Sequence, residues 1–263
     1  MNPLFEKHRK VLIGVVHLPP LPGSPGWRGD INAVIEHALQ DARAYERGGA
    51  HALFIENFGD IPFTKGSVAP ETIAAMAAAG CAIRQAVKLP IGFNVLRNDA
   101  RAALALCAVC GGDFVRINVH TGAMLTDQGL IEGNAYETLR YRKQVCPQAQ
   151  IFADVHVKHA VPLGNWTIED AARDTVERGL ANALIVSGAG TGIAADLADL
   201  QRVRRTAPKS RILLGSGVTL DNLDQFLADA DGFIVGSSLK VKGDVSRPVD
   251  AKRVSALARA LKS

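Results

Sequence analysis

RILLGSGVTLDNLDQFLADADGFIVGSSLK, residues 211–240, holds two short apolar runs, each ending in a glycine–serine turn. RILLGSG (211–217) and DGFIVGS (231–237) are apolar nearly throughout at their starts, as parallel strands covered on both faces are. Moving outward, the same unit recurs. VLIGVVH (11–17), HALFIEN (51–57), IGFNVL (91–96), DFVRINVH (113–120), QIFADVHVKH (150–159) and NALIVSG (182–188) bring the strand count to eight. Alanine-rich helical stretches lie between them, for example 32–47, 71–87, 99–109, 135–145, 168–178 and 248–261. ERGGAHALFIEN, VCGGDFVRINV, ERGLANALIVSG and LADADGFIVGS each stop a helix near glycine or aspartate and enter a strand at once. Eight such repeats with right-handed crossovers close into an α/β (β/α)8 barrel. The 263 residues match the ~250 that one barrel needs, so residues 1–263 read as a single barrel domain. An open doubly wound sheet is the competing fold, and no early G-x-G-x-x-G supports it.

Composition narrows the function. Hydrophobic residues make up 48% and aromatic residues only 5%, which suits close helix–sheet packing and not a base-stacking platform. The net charge of +4 comes from 30 basic and 26 acidic residues with no basic stripe, so no nucleic-acid partner is expected. No apolar run approaches the ~20 residues of a membrane span. The N-terminal segment lacks a signal-peptide core, and the expectation is a soluble cytoplasmic protein without membrane insertion. Cys107 and Cys110 form a C-x-x-C inside ALALCAVC, a helical run; they read as small buried thiols, not a metal or redox motif.

Polar residues collect at the C-terminal ends of the strands, where a barrel builds its site. His17 closes strand one, Glu56 and Asn57 strand two, and Asn94 strand three. Period-two alternation places Arg116, Asn118 and His120 on one face of strand four, and Asp154, His156 and Lys158 on one face of strand five. Glu56, His120 and Asp154 are candidate general acids or bases. Lys158 is a Schiff-base amine, an ion-pair partner of Asp154 or a plain anion contact. Arg116 and Asn118, with His17, Asn57, Asn94 and His156, would bind an oxygen-rich substrate. A structural hydrogen-bond network plugging the barrel top is the bland alternative.

An anion site is expected on Gly215, Ser216 and Gly217 after strand seven and Gly236, Ser237 and Ser238 after strand eight. Glycines let backbone N–H groups approach an anion, and hydroxyls add donors. A third glycine-rich loop, 187–192, includes Gly188 and would border the same anion, act as a flexible cover or serve conformation alone. His17, Glu56, His120, Asp154 and His156 also carry donor types suited to a divalent metal, without a local spacing such as H-E-x-x-H.

The motifs HLPPLPGSP (17–25), IENFGDIPF (55–63), NVLRNDA (94–100) and RINVHTGA (116–123) resemble the BtpA/SgcQ family, as do TDQGLIEG (126–133), ADVHVKHA (153–160), GSGVT (215–219) and GSSLK (236–240). The resemblance covers nearly the whole chain. It implies a phosphate-binding (β/α)8 barrel, and the family name refers to biogenesis of a photosynthetic membrane complex. Other members look like sugar-metabolism proteins. The family offers no settled reaction or catalytic set to carry over. Two readings follow: an enzyme of a phosphorylated sugar or nucleoside-like molecule (isomerase, epimerase, aldolase or glycosyl-cleaving), or a non-catalytic assembly factor. A homo-oligomer is left open by the sequence.

Overall fold

A computed structural model describes residues 3–188, 190 and 195–262. Its eight parallel strands close a barrel. In chain order the barrel strands are β1 (Val11–His17), β2 (Ala52–Glu56), β3 (Ile91–Asn94), β4 (Phe114–Ile117), β7 (Gln150–Val155), β9 (Ala183–Val186), β10 (Arg211–Leu214) and β11 (Gly232–Val235). The barrel closes where β1 pairs with β11, Val11 opposite Gly232. Three further strands, β5 (Ala123–Thr126), β6 (Gly129–Glu132) and β8 (Ala160–Pro162), form a small antiparallel sheet of order β6-β5-β8. They belong to the connections that follow β4 and β7.

All eight expected strands are present, but β4 and β7 are shorter than the sequence suggested. Period-two patterning overran where the chain leaves the barrel. β7 ends at Val155, and His156 then turns the chain with φ 52°, a left-handed conformation no strand continues through. Asn118, His120, His156 and Lys158 therefore follow the strands instead of lying on them.

Helices α2 (Ile31–Gly48), α3 (Pro70–Ala86), α4 (Ala100–Cys110), α5 (Ala135–Val145), α6 (Ile168–Glu177), α7 (Leu197–Thr206) and α8 (Ala251–Ala260) surround the sheet. α2 shows why their ends fall where they do. Asp30 accepts N–H bonds from Asn32 and Ala33, and Gly49 leaves the helix at φ 86°, a conformation glycine adopts without a Cβ clash. Between β10 and β11 only a 3-10 turn, Leu223–Phe226, replaces a crossover helix.

Two apolar layers result. One lies between strands and helices. The other fills the barrel with inward side chains, among them Ile13, Phe54, Phe114, Phe152, Ile185 and Ile234. The rings of Phe114 and Phe152 stack at 5.0 Å, and Phe54 meets Phe114 edge-on at 4.8 Å. Helix α1 (Pro3–Lys7) packs Leu4 and Phe5 into this inner layer, so the bottom of the barrel is plugged by its own N-terminal turn. Carrying each strand's inward alternation one step toward the C-terminal end changes the residue type. The next positions are His17, Glu56, Asn94, Arg116, Asp154, Ser187, Gly215 and Gly236. Polar chemistry thus begins one layer above the phenylalanines.

Candidate active site

The centre of that top layer is an ion pair. Arg116 Nε and Nη2 each donate to Asp154 at 2.8 Å, a bidentate contact with both side chains buried. Ser187 Oγ donates to Asp154 Oδ1 at 2.9 Å, and Asn118 Nδ2 to Oδ2 at 3.1 Å. Burial alone would lower the Arg116 pKa, but the Asp154 carboxylate and then Glu56 raise it, so the guanidinium is permanently charged. Asp154 is consequently occupied by four donors. It positions Arg116 and Asn118 and is not free to abstract a proton, and its partner is Arg116, not Lys158.

The cleft above this layer has two adjoining lobes. The first, about 290 Å³, is lined by both glycine–serine turns together with His17, Glu56, Arg116 and Lys158. The second, about 330 Å³, shares Glu56, Arg116 and Lys158 and adds Asn94 and Asn118. Residues from β1 to β11 therefore meet in one space, as a barrel rim requires.

Packing and backbone conformation require glycine in the first turn. Gly215 admits no side chain, since a Cβ there would come within 2.6 Å of Ile185 Cγ2 and Ser187 Oγ. Gly217 sits at φ 67°. Ser237 and Ser238 open a short 3-10 turn whose first internal bonds are Leu239 N–H to Gly236 O and Lys240 N–H to Ser237 O, which leaves the serine N–H groups at its start. Ser238 Oγ itself donates to Val218 O at 2.6 Å and ties the two turns together. Ser216 Oγ accepts from Gly188 N–H at 2.9 Å, so both residues brace the loop after β9. Of the 187–192 loop, residues 189, 191 and 192 lie outside the described residues. Lys240 anchors the second turn from beneath through a fully buried 2.6 Å pair with Asp41 of α2.

His17 lies between Glu56, with Nε2 4.0 Å from its Oε1, and the ring of Phe58 at 4.5 Å. Burial, then Lys240 and Lys158, push its pKa down to about 3, so the imidazole is neutral. A histidine depressed in the native state is charged more readily when unfolded, where its ordinary value is 6.5. Its contribution to stability is full above pH 6.5 and is lost as pH falls toward 3. Between pH 6.5 and 5 the wild type should lose about 2 kcal/mol more unfolding free energy than His17→Gln, at ~1.4 kcal/mol per pH unit for one proton. Guanidinium unfolding curves at the two pH values measure this; equal losses in both proteins would contradict the burial of a neutral His17.

Lys158 also lines both lobes, and burial is the largest influence on it, lowering its pKa, with Glu56 acting to raise it and Arg116 to lower it again. No carboxylate oxygen lies within 4 Å of its ammonium among the described residues. Burial likewise lowers the pKa of Arg97, whose Nη2 donates to Lys158 O at 2.5 Å.

Besides Asp154 beneath the cleft and Gly188 in the loop after β9, three expected residues do not line it. His120 Nε2 contacts Gly179 O at 2.7 Å, behind the barrel at the end of α6, because the chain has left β4 by then. His156 faces Glu169, Asp199 and Arg202 on the α6–α7 side. Asn57 clamps the loop after β3, its Oδ1 accepting from Leu96 N–H at 2.7 Å and its Nδ2 donating to Asp60 at 3.2 Å. The five-donor metal set consequently does not assemble, and no group of three His, Cys, Asp or Glu suited to a metal exists among the described residues. Arg97, which follows Asn94 at the end of strand three, reaches the cleft, and Gln128 and Arg253 do so without having been singled out. Arg253, from α8, donates to Ser238 O at 2.7 Å and brings a cation to the second turn. Ser187 was reachable from sequence, two residues beyond inward Ile185.

With this geometry in place, comparison with known proteins fixes the lineage. The BtpA family pattern matches residues 8–263. The chain belongs to the BtpA family. Within it, the photosystem I biogenesis protein BtpA of Synechocystis sp. is 47% identical, over 98% of this chain and 89% of that protein. The putative sgc region protein SgcQ of Escherichia coli is 34% identical over 94% of this chain and 92% of its own length. Among solved structures, phosphoribosyl anthranilate isomerase from Thermus thermophilus shares the fold at a TM-score of 0.58 and 16% identity, covering 96% of this chain and 98% of that one. No helix among the described residues of this BtpA-family chain is long and apolar enough to cross a membrane.

Proposed function

We propose that the protein is an enzyme acting on a phosphorylated sugar or nucleoside-like small molecule by general acid–base chemistry at the C-terminal rim. The observation that carries this reading is a single lobe lined by both glycine–serine turns and by Glu56, Arg116 and Lys158. The phosphate would lie on 215–217 and 236–238, where N–H groups and the Arg253 cation face it. The remainder of the substrate would extend over the barrel mouth. There Glu56 is the proton-transferring carboxylate, since Asp154 is fully engaged. Lys158 supplies the cation or acid that stabilises negative charge on a reacting oxygen. Arg116, held rigid by Asp154, keeps the two N–H groups of Nη1 for orienting the substrate. The activity named for the fold neighbour, an isomerase of phosphoribosyl anthranilate, fits a phosphorylated substrate in this kind of barrel.

A second reading, an assembly factor, is favoured by the biogenesis name of the Synechocystis relative and by one surface feature. Leu130, Leu125 and Val161 lie side by side across the β6-β5-β8 sheet and are exposed. That reading leaves the buried, charged cleft without a use.

The test is turnover of a panel of sugar phosphates and nucleoside monophosphates in deuterated water, followed by NMR for product and solvent deuterium. One panel member should react, and Glu56→Gln should slow it by ~10²–10⁴-fold, the usual contribution of a positioned acid or base. A Glu56→Gln protein as fast as wild type would refute the assignment.

A further inference from the structure

The second lobe differs in character from the first. One wall is apolar, made by Phe58, Ile61, Pro62, Phe63 and Leu96. Ile61 stands at its mouth 60% exposed. A sugar phosphate by itself has no flat apolar face to place on such a wall.

The lobe is also lined by amides whose orientation is dictated by carboxylates. Asp154 can only accept, so Asn118 turns its Nδ2 toward Asp154 and leaves its Oδ1 as an acceptor. Asn94 therefore presents Nδ2 to Asn118 Oδ1 at 3.0 Å and to Arg116 O at 3.2 Å. This leaves Asn94 Oδ1 buried with no partner among the described residues. Gln128, at the tip of the β5–β6 hairpin, is fixed in the same way. Its Nε2 donates to the Asp127 carboxylate, and its Oε1 is buried and unpartnered among the described residues. Two fixed acceptors without donors among the described residues thus belong to side chains that line the same lobe as the apolar wall. Each costs roughly 1–3 kcal/mol to leave unpaired, so a ligand that supplies N–H donors there recovers that cost.

We propose that the second lobe binds a flat, amino-bearing heterocycle, so that the cleft as a whole takes a 5′-phosphorylated N-glycoside. The ring lies against Phe58 and Pro62 with its amino edge toward Asn94 and Gln128. The sugar lies between the lobes beside Glu56, Arg116 and Lys158, which border both. This inference rests on the phosphate reading given above and adds the identity of the other end of the ligand.

Calorimetric titration of the full chain with ribose 5-phosphate, CMP, UMP and AMP separates the two claims. CMP and AMP should bind at least about tenfold more tightly than ribose 5-phosphate, the worth of one net hydrogen bond near 1.4 kcal/mol. UMP, with a carbonyl where CMP has an amino group, should bind more weakly than CMP. Gln128→Ala, at an exposed hairpin tip, should remove the advantage of CMP while leaving ribose 5-phosphate within about twofold. Equal affinity for CMP, UMP and ribose 5-phosphate would overturn the heterocycle inference and leave the phosphate reading intact. Binding of none of the four would overturn both.

Discussion

Asp154→Ala should destabilise the protein by about 3–5 kcal/mol, because it strands the Arg116 guanidinium as an unpaired buried cation. For a chain of this size each kcal/mol is worth roughly 2–4 °C, so the melting temperature should fall by roughly 6–20 °C. The loss includes more than Coulomb attraction. Ser187 Oγ and Asn118 Nδ2 lose their acceptor at the same time, and a buried donor left unsatisfied carries its own cost. Removing both charges with Arg116→Met/Asp154→Leu should be milder than the single change, since no naked charge remains. A differential scan of the three proteins decides the matter. A single variant that melts within about 1 °C of wild type would mean that the pair is solvated.

Ser237→Asp should weaken binding of ribose 5-phosphate by ~100-fold or more, equivalent to about 2.7 kcal/mol. Ser237 lies in the first lobe at the start of the 3-10 turn, and a carboxylate there would face the phosphate in a partly water-excluded space. Like charges brought together at a binding surface cost several kcal/mol. Ser237→Ala removes a hydroxyl but keeps the backbone N–H groups, so it should cost much less. Titration of both variants separates charge from mere loss of a donor. Equal, small effects would place the anion elsewhere.

The sequence made the barrel legible because eight apolar runs recur between helix stops, and each carries the signature of a strand buried on both faces. It also made legible the residues at the last inward step of each strand, His17, Glu56, Asn94, Arg116 and Asp154, together with the two glycine–serine turns. Alternation failed where it was extended past the strand ends. His120 and His156 look periodic with Arg116 and Asp154, yet the chain has already turned away, at His156 through a positive φ. Lys158 reaches the cleft although it is off the strand, carried back by the connection to β8. Partner choice was also out of reach: Asp154 takes Arg116 from the neighbouring β4, a matter of register that spacing within one strand does not encode. Gln128 and Arg253 were invisible for a related reason. They arrive from a hairpin tip and the outer face of a helix, and no periodicity directs such segments toward the barrel mouth. The exposed apolar row on the β6-β5-β8 sheet was hidden likewise, since the strands that align it are themselves part of those connections.

Crystals of the protein soaked with ribose 5-phosphate give the most direct test of a phosphate-binding rim. The expected result is a phosphate seated between 215–217 and 236–238, within hydrogen-bond reach of the Ser237 N–H, with the sugar pointing toward Glu56 and Lys158. A phosphate bound outside this lobe, or a lobe that stays unliganded at saturating concentration, would contradict it.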